Sequence, residues 1–253
     1  MIQSENTLLI LEEQLMVRLS RLGIFILLCS LVVSASAVTV QWFGQSSFLI
    51  IAKDGTRIVT DPYESGALGY KPITVSADIV TVSHEHADHN YTRAIGGDPI
   101  ILRNPGKYNA KGIEFLGIAS YHDTVLGGIR GKNTIFRFAV DGITFCHLGD
   151  LGTTLSTAQL KDIGKVNVLL IPVGGNFTID WQDAYAVINQ VKPILVIPMH
   201  YKTEVVTLPL AEVTEFSTEG GKKSYDQKPI EQLEITKDKL PKPTQITLMQ
   251  HTR

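Results

Sequence analysis

The chain has 253 residues, of which 44% are hydrophobic and 19% charged, and its formal net charge is −2 at pH 7. This length and apolar content are enough for one globular domain with a large core. A net charge so close to zero excludes the broad basic surface used to bind nucleic acid or anionic membranes, so we expect neither partner.

The N-terminal segment has the pattern of a secretory signal peptide. Arg18 and Arg21 precede an apolar run over residues 22–33, and Ala35-Ser36-Ala37 supplies small residues for cleavage. The apolar run is shorter than the ~20 residues that span a bilayer. We therefore predict that residues 1–37 are a leader containing a cleaved signal peptide.

The mature chain, residues 38–253, is predicted to be a single exported domain, periplasmic or secreted, without a stable membrane span after cleavage. An uncleaved membrane anchor is the alternative, and Met16 is a second candidate start. Cys146 is the one cysteine left after the leader is removed, so an internal disulfide is excluded. We interpret Cys146 as a buried strand residue without a chemical role.

Short apolar runs and turn signals alternate along the mature chain. The predicted strands are, in chain order, 38–43, 47–51, 57–60, 79–82, 99–102, 113–116, 134–139, 143–147, 167–171 and 194–198. Asp54-Gly55 and Asp141-Gly142 each predict a tight hairpin between two strands. Two runs of strands with helices between them predict an α/β fold, an αββα four-layer sandwich with two sheets face to face.

Three helices and two loops complete the predicted elements. The helices are expected at 155–163, capped by Ser156, at 181–191, opened by Asp180, and at 208–217. The stretch 62–72, which contains two glycines, is predicted to be either a mobile rim of the site or an ordinary surface loop. Residues 218–229 are expected to form an exposed loop.

The segment His84-Glu85-His86-Ala87-Asp88-His89 holds three of the seven histidines of the chain. Neutral imidazole and carboxylate are the usual protein ligands of zinc and similar divalent metals. The spacing lets His84 and His86 reach one ion, while Asp88 and His89 follow at the next bend, within reach of a second. Position 88 is Asp, so the helical zinc motif with histidines four residues apart is excluded.

Three later segments each place a polar group after a predicted strand or turn: His122, Asp150 after Gly149, and His200. Side chains at strand ends stand on a rigid scaffold, as a metal site requires. Together with the histidine cluster they predict a metal site. His147 is expected to be a core histidine or to orient a ligand, and His251 is expected at the surface.

The order of these residues resembles that of the metallo-β-lactamase-fold hydrolases over nearly all of the chain after residue 38. The resemblance implies one metal held by His84, His86 and His122, a second held by Asp88, His89 and His200, a carboxylate of Asp150 bridging both, and Asp61 orienting ligand imidazoles. Within the superfamily, four segments resemble the branch that includes the ascorbate-6-phosphate lactonase. They are Tyr121-His122-Asp123, Arg130-Gly131-Lys132-Asn133, Pro172-Val173-Gly174-Gly175 and Pro198-Met199-His200-Tyr201.

The predicted activity is hydrolysis of an ester, lactone, amide or phosphoester of a small molecule by a hydroxide that bridges two divalent ions. Asp88 would hold this hydroxide, and His200 would help to stabilise the leaving group. Zinc is expected, with manganese or iron as alternatives. Arg130 and Asn133 are candidate contacts to an anionic substrate.

Two other function classes stay open at this point. One is a non-hydrolytic metal-binding or redox module on the same fold, although a redox di-iron protein would usually carry more carboxylates or an attached electron-carrier domain. The other is a nuclease or phosphodiesterase, which the lack of a basic patch disfavours. A β-lactamase is disfavoured too, because the common zinc enzymes of that class have cysteine at the position of Asp150.

Overall fold

The computed structural model describes residues 37–219 and 228–252. The predicted leader, apart from Ala37, and most of the predicted loop 218–229 lie outside the described residues, so both stay predictions. In the described ranges, no helix is both long and apolar enough to cross a bilayer.

The first of two sheets contains five strands from the N-terminal half of the domain and one strand from near its C-terminus. Its strands are β1 (Val38–Gly44), β2 (Ser47–Ile51), β3 (Arg57–Thr60), β4 (Ile79–Val82), β5 (Ile100–Arg103) and β12 (Gln232–Ile235). They lie in the order β12-β1-β2-β3-β4-β5, antiparallel from β12 to β3 and parallel from β3 to β5. All four residues of β4 are buried, which is typical of a strand covered on both faces.

The second sheet contains the strands that follow. They are β6 (Gly106–Ala110), β7 (Ile113–Tyr121), β8 (Lys132–Val140), β9 (Ile143–His147), β10 (Val168–Pro172), β11 (Leu195–Met199) and β13 (Gln245–Ile246). Their order is β13-β11-β10-β9-β8-β7-β6, parallel from β13 to β9 and antiparallel from β9 to β6. The carboxyl ends of β7, β9, β10 and β11 therefore lie at one edge.

The main core lies between the two sheets, because one buried cluster combines side chains from both. Phe48 and Ile50 of the first sheet belong to it, as do Phe136, Phe138 and Phe145 of the second. The rings of Phe138 and Phe145 stack with centroids 5.5 Å apart. The predicted sandwich of two facing sheets is confirmed.

Helices cover the second sheet. Helix α2 (Thr157–Ile163) is capped by Ser156, whose side chain forms a capping box with Gln159. Helix α3 (Trp181–Val191) is capped by Asp180, whose carboxylate accepts from the main-chain N–H of Asp183. Both caps were predicted. Helix α3 buries Ala184, Val187, Ile188 and Val191 in the main core.

The third predicted helix was placed too early. Helix α4 covers Val213–Glu219 rather than residues 208–217. The main-chain N–H of Ala211 donates to Gly174, and that of Lys202 donates to Ala211, so this stretch bonds to neighbouring loops instead of coiling. Pro209 also lacks the N–H that a helix interior needs.

The segment predicted as a rim or a surface loop packs on the outer face of the first sheet. It contains the short helix α1 (Ser65–Leu68), and Tyr63, Leu68 and Tyr70 pack into a second buried cluster. The hydroxyl of Tyr63 donates to the main-chain carbonyl of Phe43 at 2.9 Å. This segment is a packed layer of the domain and does not line the cavity beside the candidate site.

Candidate metal centre

Six loops meet where strands of both sheets end. Strands β1, β3 and β4 run in one direction, as do β7, β9 and β11, and each is followed by a polar residue. The residues in question are Gln45, Asp61, His84, His122, Asp150 and His200. Except for Gln45, all of them belong to the set that the sequence predicts. The sheet topology thus explains why residues far apart in sequence meet here.

The first donor group consists of His84, His86 and His122, whose candidate ligand atoms all lie within 4.8 Å of one another. The Nε2 of His84 is 3.0 Å from the Nδ1 of His86. His84 and His86 come from the loop after β4, whereas His122 follows β7, so this group joins the two sheets.

The second donor group consists of Asp88, His89, Asp150 and His200, within the same 4.8 Å limit. The Oδ2 of Asp150 lies 3.2 Å from the Nε2 of both His89 and His200. The same oxygen is 3.1 Å from the Nε2 of His122 and 3.9 Å from that of His84, which belong to the first group. Asp150 is therefore the residue that stands between the two groups.

Asp61 lies behind the second group and is fully buried. Its Oδ2 is 2.8 Å from the Nδ1 of His89, and its Oδ1 accepts from the main-chain N–H of Ser83 at 2.7 Å. Burial alone would raise the pKa of Asp61, but the imidazoles of His147 and His89 lower it below the usual range. An ionised Asp61 fixes the His89 ring so that its Nε2 faces Asp150 and Asp88, as a ligand-orienting carboxylate does.

The charges and unpaired atoms of the site fit a divalent cation. The Oδ1 of Asp150 and the Nε2 of His89 are buried without a hydrogen-bond partner among the described residues. Burial alone would lower the pKa of His89, but the carboxylates of Asp150 and Asp88 raise it well above its usual value. The site therefore favours a positive charge beside these carboxylates, which a proton or a metal ion can supply.

Backbone strain is concentrated at this site. Ten described residues other than glycine have a left-handed backbone, and the three buried ones among them are Gln45, Asp61 and His200, with φ of 50°, 36° and 52°. Strained backbone of this kind costs energy and persists mainly where function requires it. Gln45 and Asp61 contact the second donor group, and His200 belongs to it.

Two glycines allow the loops to approach closely. A Cβ at Gly149, which precedes Asp150, would lie 2.5 Å from the Cβ of Ser83 and 2.4 Å from the Oδ1 of Asn133. A Cβ at Gly174 would lie 2.2 Å from the main-chain oxygen of His200. Larger side chains at either position would push apart the loops that hold the ligands.

A cavity of about 310 Å³ opens beside both groups, and Arg130, Phe177 and Leu208 complete its wall. The Nη2 of Arg130 donates to the main-chain oxygen of Asn176 at 3.0 Å, and its guanidinium lies 5.4 Å from the centre of the Phe177 ring. The predicted substrate contact at Arg130 is thus at the cavity. Phe177 and Leu208 were not predicted, since nothing in their local sequence marks them.

Asn133 also lines a cavity next to the first one, so its predicted substrate contact stays a prediction, and the structure gives it further bonds within the protein. Its side chain is buried, and its Nδ2 donates to Ser120 and to the main-chain oxygen of Leu148. Its Oδ1 accepts from the main-chain N–H of Asp150 at 3.0 Å. These bonds engage both ends of the amide within the protein, so Asn133 holds the Asp150 loop in place.

The remaining histidines and the cysteine lie outside the two donor groups. His147 is buried, with its Nε2 2.9 Å from the main-chain oxygen of Ser46. Cys146 is buried as predicted, and burial raises the pKa of its thiol to about 12. The prediction for His251 was wrong, because its ring is half-buried against Trp42 and Tyr70 and its Nε2 is 2.7 Å from Glu204.

A family model and a curated relative both match most of the described chain. A family model described as "Beta-lactamase superfamily domain" matches residues 39–200. A protein of Carboxydothermus hydrogenoformans named "UPF0173 metal-dependent hydrolase" is 31% identical over 209 residues, which cover 72% of this chain and 91% of the relative.

Solved structures agree with the sequence matches. A Thermotoga maritima protein, described as a candidate Zn-dependent hydrolase of the metallo-β-lactamase superfamily, has a TM-score of 0.69 and 34% identity, covering 84% of this chain and 98% of that one. An isothiocyanate hydrolase from Delia radicum gut bacteria has a TM-score of 0.60 and 14% identity, covering 78% and 98%. At 14% identity, the similarity to the isothiocyanate hydrolase shows only a shared fold.

Proposed function

Because the chain belongs to the β-lactamase superfamily and is a metal-dependent hydrolase, we propose that it hydrolyses a small molecule at a site with two metal ions. The observation that supports two ions best is the position of Asp150, whose Oδ2 lies 3.1–3.9 Å from the Nε2 atoms of four histidines in both donor groups. A carboxylate between two sets of three ligands suits a shared, bridging ligand.

In this proposal, His84, His86 and His122 hold one ion, Asp88, His89 and His200 hold the other, and Asp150 binds both. Zinc suits this set of five imidazoles and two carboxylates, and manganese or iron would also bind it. Two carboxylates are few for a redox di-iron site, which favours hydrolysis over the redox alternative. When bound, two divalent ions lower the pKa of a shared water and so supply a hydroxide near neutral pH.

The residues of the chain have separate tasks in this reaction. Asp88, the most accessible member of the second group with 22% of its side chain exposed, is placed to orient the attacking hydroxide by a hydrogen bond. His200, which lines the cavity, would help to stabilise the departing group. Substrates with an ester, lactone, amide or phosphoester bond fit this chemistry.

The position of Arg130 supports the proposal that the substrate is anionic. It lines the cavity beside the metal site and also a neighbouring cavity of about 610 Å³, which Lys132 and Tyr121 line as well. Glu85, the acidic residue of the neighbouring cavity, is paired with Arg103 at 2.8 Å. A substrate that carries a carboxylate or phosphate beside its scissile bond would therefore meet uncompensated positive charge.

The test begins with metal content. The full chain is reconstituted with zinc or manganese, its metals are measured by elemental analysis, and it is assayed on a panel of esters, lactones, amides and phosphoesters. We expect about two ions per chain and turnover of at least one class of substrate. Less than about half an ion per chain after reconstitution would contradict the proposal.

Substrate charge is tested separately with a matched pair of esters that differ by one carboxylate. Arg130→Met should raise KM for the carboxylated ester several-fold and leave KM for the neutral ester unchanged. Arg137→Met is the control, because Arg137 is also half-buried and donates to a carbonyl, that of Ile163, but lies outside both cavities beside the metal site. An equal effect of Arg130→Met on both esters would contradict a charge contact.

A further inference from the structure

Gln45 lies in the turn between β1 and β2 and belongs to neither donor group. Its side chain is fully buried, and its Nε2 donates to the Oδ2 of Asp88 at 3.0 Å. Because an ionised carboxylate can only accept hydrogen bonds, the amide of Gln45 must present its nitrogen to Asp88. The orientation of this amide is thus determined by its partner.

The main chain of Gln45 contacts the same group from another side. Its carbonyl oxygen accepts from the main-chain N–H of His200 at 3.1 Å and from the Nε1 of Trp42 at 3.0 Å. One residue therefore bonds to two members of the second donor group. These members come from different sheets, since Asp88 follows β4 and His200 follows β11.

This arrangement is costly for the protein. Gln45 has a left-handed backbone with φ of 50°, which any residue other than glycine adopts with strain. Its Oε1 is buried without a hydrogen-bond partner among the described residues. A buried polar atom left unpaired in a strained residue indicates a role beyond folding.

Asp88 is also the member of its group that most needs a support. Its side chain is 22% exposed, whereas those of His89, Asp150 and His200 are between 0% and 2% exposed. Packing restrains the buried side chains, but a carboxylate at the cavity has fewer neighbours to hold its rotamer. The bond from Gln45 supplies that restraint.

We propose that Gln45 is a positioning residue of the second metal site, which it serves by fixing the carboxylate of Asp88 while its carbonyl fixes the main chain of His200. The inference rests on the proposed function, because it assumes that Asp88 and His200 bind an ion. Gln45 itself lies outside the residues that line the cavity, so its proposed action is through Asp88 and His200.

The test compares two substitutions of the same kind in the full chain. Gln45→Met keeps the length of the side chain and removes the donor. Gln41→Met is the control, because Gln41 also donates through its Nε2, to Gln232 at 2.9 Å, and lies on β1, the strand before the Gln45 turn, away from the site. The measurement is zinc affinity at each site, by competition with a chromogenic chelator, together with the circular dichroism spectrum.

We expect Gln45→Met to weaken one of the two zinc sites by about 10–100-fold, the usual effect of losing a residue that orients a ligand. The other site and the Gln41→Met protein should match the wild type. Gln45→Glu should weaken the same site further, because it places a second carboxylate against Asp88. Unchanged affinity in Gln45→Met, or loss of the folded spectrum in both Gln45 variants, would overturn the proposal.

A double-mutant cycle separates positioning from a general effect on folding. The loss caused by Gln45→Met should shrink to within about twofold when Asp88→Ala is already present, because the acceptor is then missing. A loss of the same size in both backgrounds would mean that Gln45 does not act through Asp88. A wild-type protein that binds neither zinc nor manganese would instead contradict the proposed function.

Discussion

At the scale of single residues, the carboxylate of Asp61 shows how buried groups arrange the ligands in front of them. It accepts hydrogen bonds from the main-chain N–H and the hydroxyl of Ser83, at 2.7 and 2.5 Å, and its Oδ2 is 2.8 Å from the Nδ1 of His89. All three residues are buried. Asp61 therefore holds both the start and the end of the loop that supplies four candidate ligands.

Asp61→Asn is expected to weaken metal binding by about 10–100-fold and to lower the free energy of unfolding by about 1–3 kcal/mol. The amide keeps the shape but loses the charge, and its NH₂ group accepts no hydrogen bond, whereas both oxygens of Asp61 face donors. Chelator competition and urea denaturation measure the two effects. Asp98→Asn is the matched control, since Asp98 has the same left-handed backbone, with φ of 55°, at an exposed position. Equal losses in both variants would assign the effect to the backbone.

Asp150 and Cys146 are expected to respond in opposite ways. Asp150→Ala should lower metal content and turnover together, because the carboxylate between the donor groups is lost. Cys146→Ser should leave both unchanged and reduce stability modestly, because burial raises the pKa of the thiol to about 12 and leaves no thiolate near neutral pH. Elemental analysis and rate measurements compare the variants. Loss of turnover in Cys146→Ser, with metals and fold intact, would point to a thiol nucleophile.

Four of the candidate ligands were readable from the sequence because three imidazoles and a carboxylate lie within six positions, and His122, Asp150 and His200 were identified by their places after predicted strands or turns. Gln45, Phe177 and Leu208 were not readable, since they join the site only through tertiary contacts. Gln45 and Asp88, for example, are 43 positions apart. Asn133 was predicted as a substrate contact, but its bond to the main-chain N–H of Asp150 was not readable from the sequence, because the two residues meet only in the folded chain.

At the scale of elements, the loop after β7 is organised by one carboxylate. Asp123 accepts from the main-chain N–H groups of Val125, Gly127, Ile129 and Arg130, at 2.7–2.9 Å. These N–H groups, that of Arg130 above all, hold the pKa of Asp123 below its usual range. The loop thus delivers Arg130 to the cavity in a defined position.

Asp123→Ala is expected to raise KM for anionic substrates several-fold with little change in metal content, because the loop loses the acceptor of four hydrogen bonds. Faster hydrogen exchange over residues 124–131 should accompany the change. Asp180→Ala is the control: it removes the cap of α3 and should lower stability without affecting KM. Unchanged exchange in the Asp123 loop would contradict this account.

The same loop should respond to acid. A carboxyl group with a lowered pKa in the folded protein stabilises it fully above the pKa of the unfolded chain, about 3.9 for Asp. This stabilisation is lost as the pH falls through the lower pKa of the folded state. The protection of the amides of residues 124–131 against hydrogen exchange, relative to the unfolded chain at the same pH, should therefore be high at neutral pH and be lost only in strong acid.

Strands with a continuous apolar run were predicted well, whereas edge strands without such a run were missed. Strands such as β4 and β10 are continuous buried runs, which their sequences display directly. Strand β6, Gly-Lys-Tyr-Asn-Ala, lacks that pattern and exists because it pairs with β7. Strand β12 pairs with β1, about 190 positions away, a partner that local sequence does not indicate.

At the scale of the whole molecule, export is our remaining proposal, since the leader lies outside the described residues. N-terminal sequencing of the extracytoplasmic protein should begin at Val38. Ala37→Gln should block processing, because the residue before the cleavage point must be small. A protein that reaches the membrane with its leader retained would favour an anchor instead.

Each donor group contains residues that follow strands of both sheets, so the candidate ligands can come together only late in folding. His84 and His86 cannot meet His122, nor can His89 meet Asp150, until the sheets have docked over their shared core. During refolding, tight zinc capture should lag behind formation of the backbone strands and coincide with burial of Trp42. The metals would then bind late in folding and would mainly slow unfolding, because they hold together two sheets that are already docked.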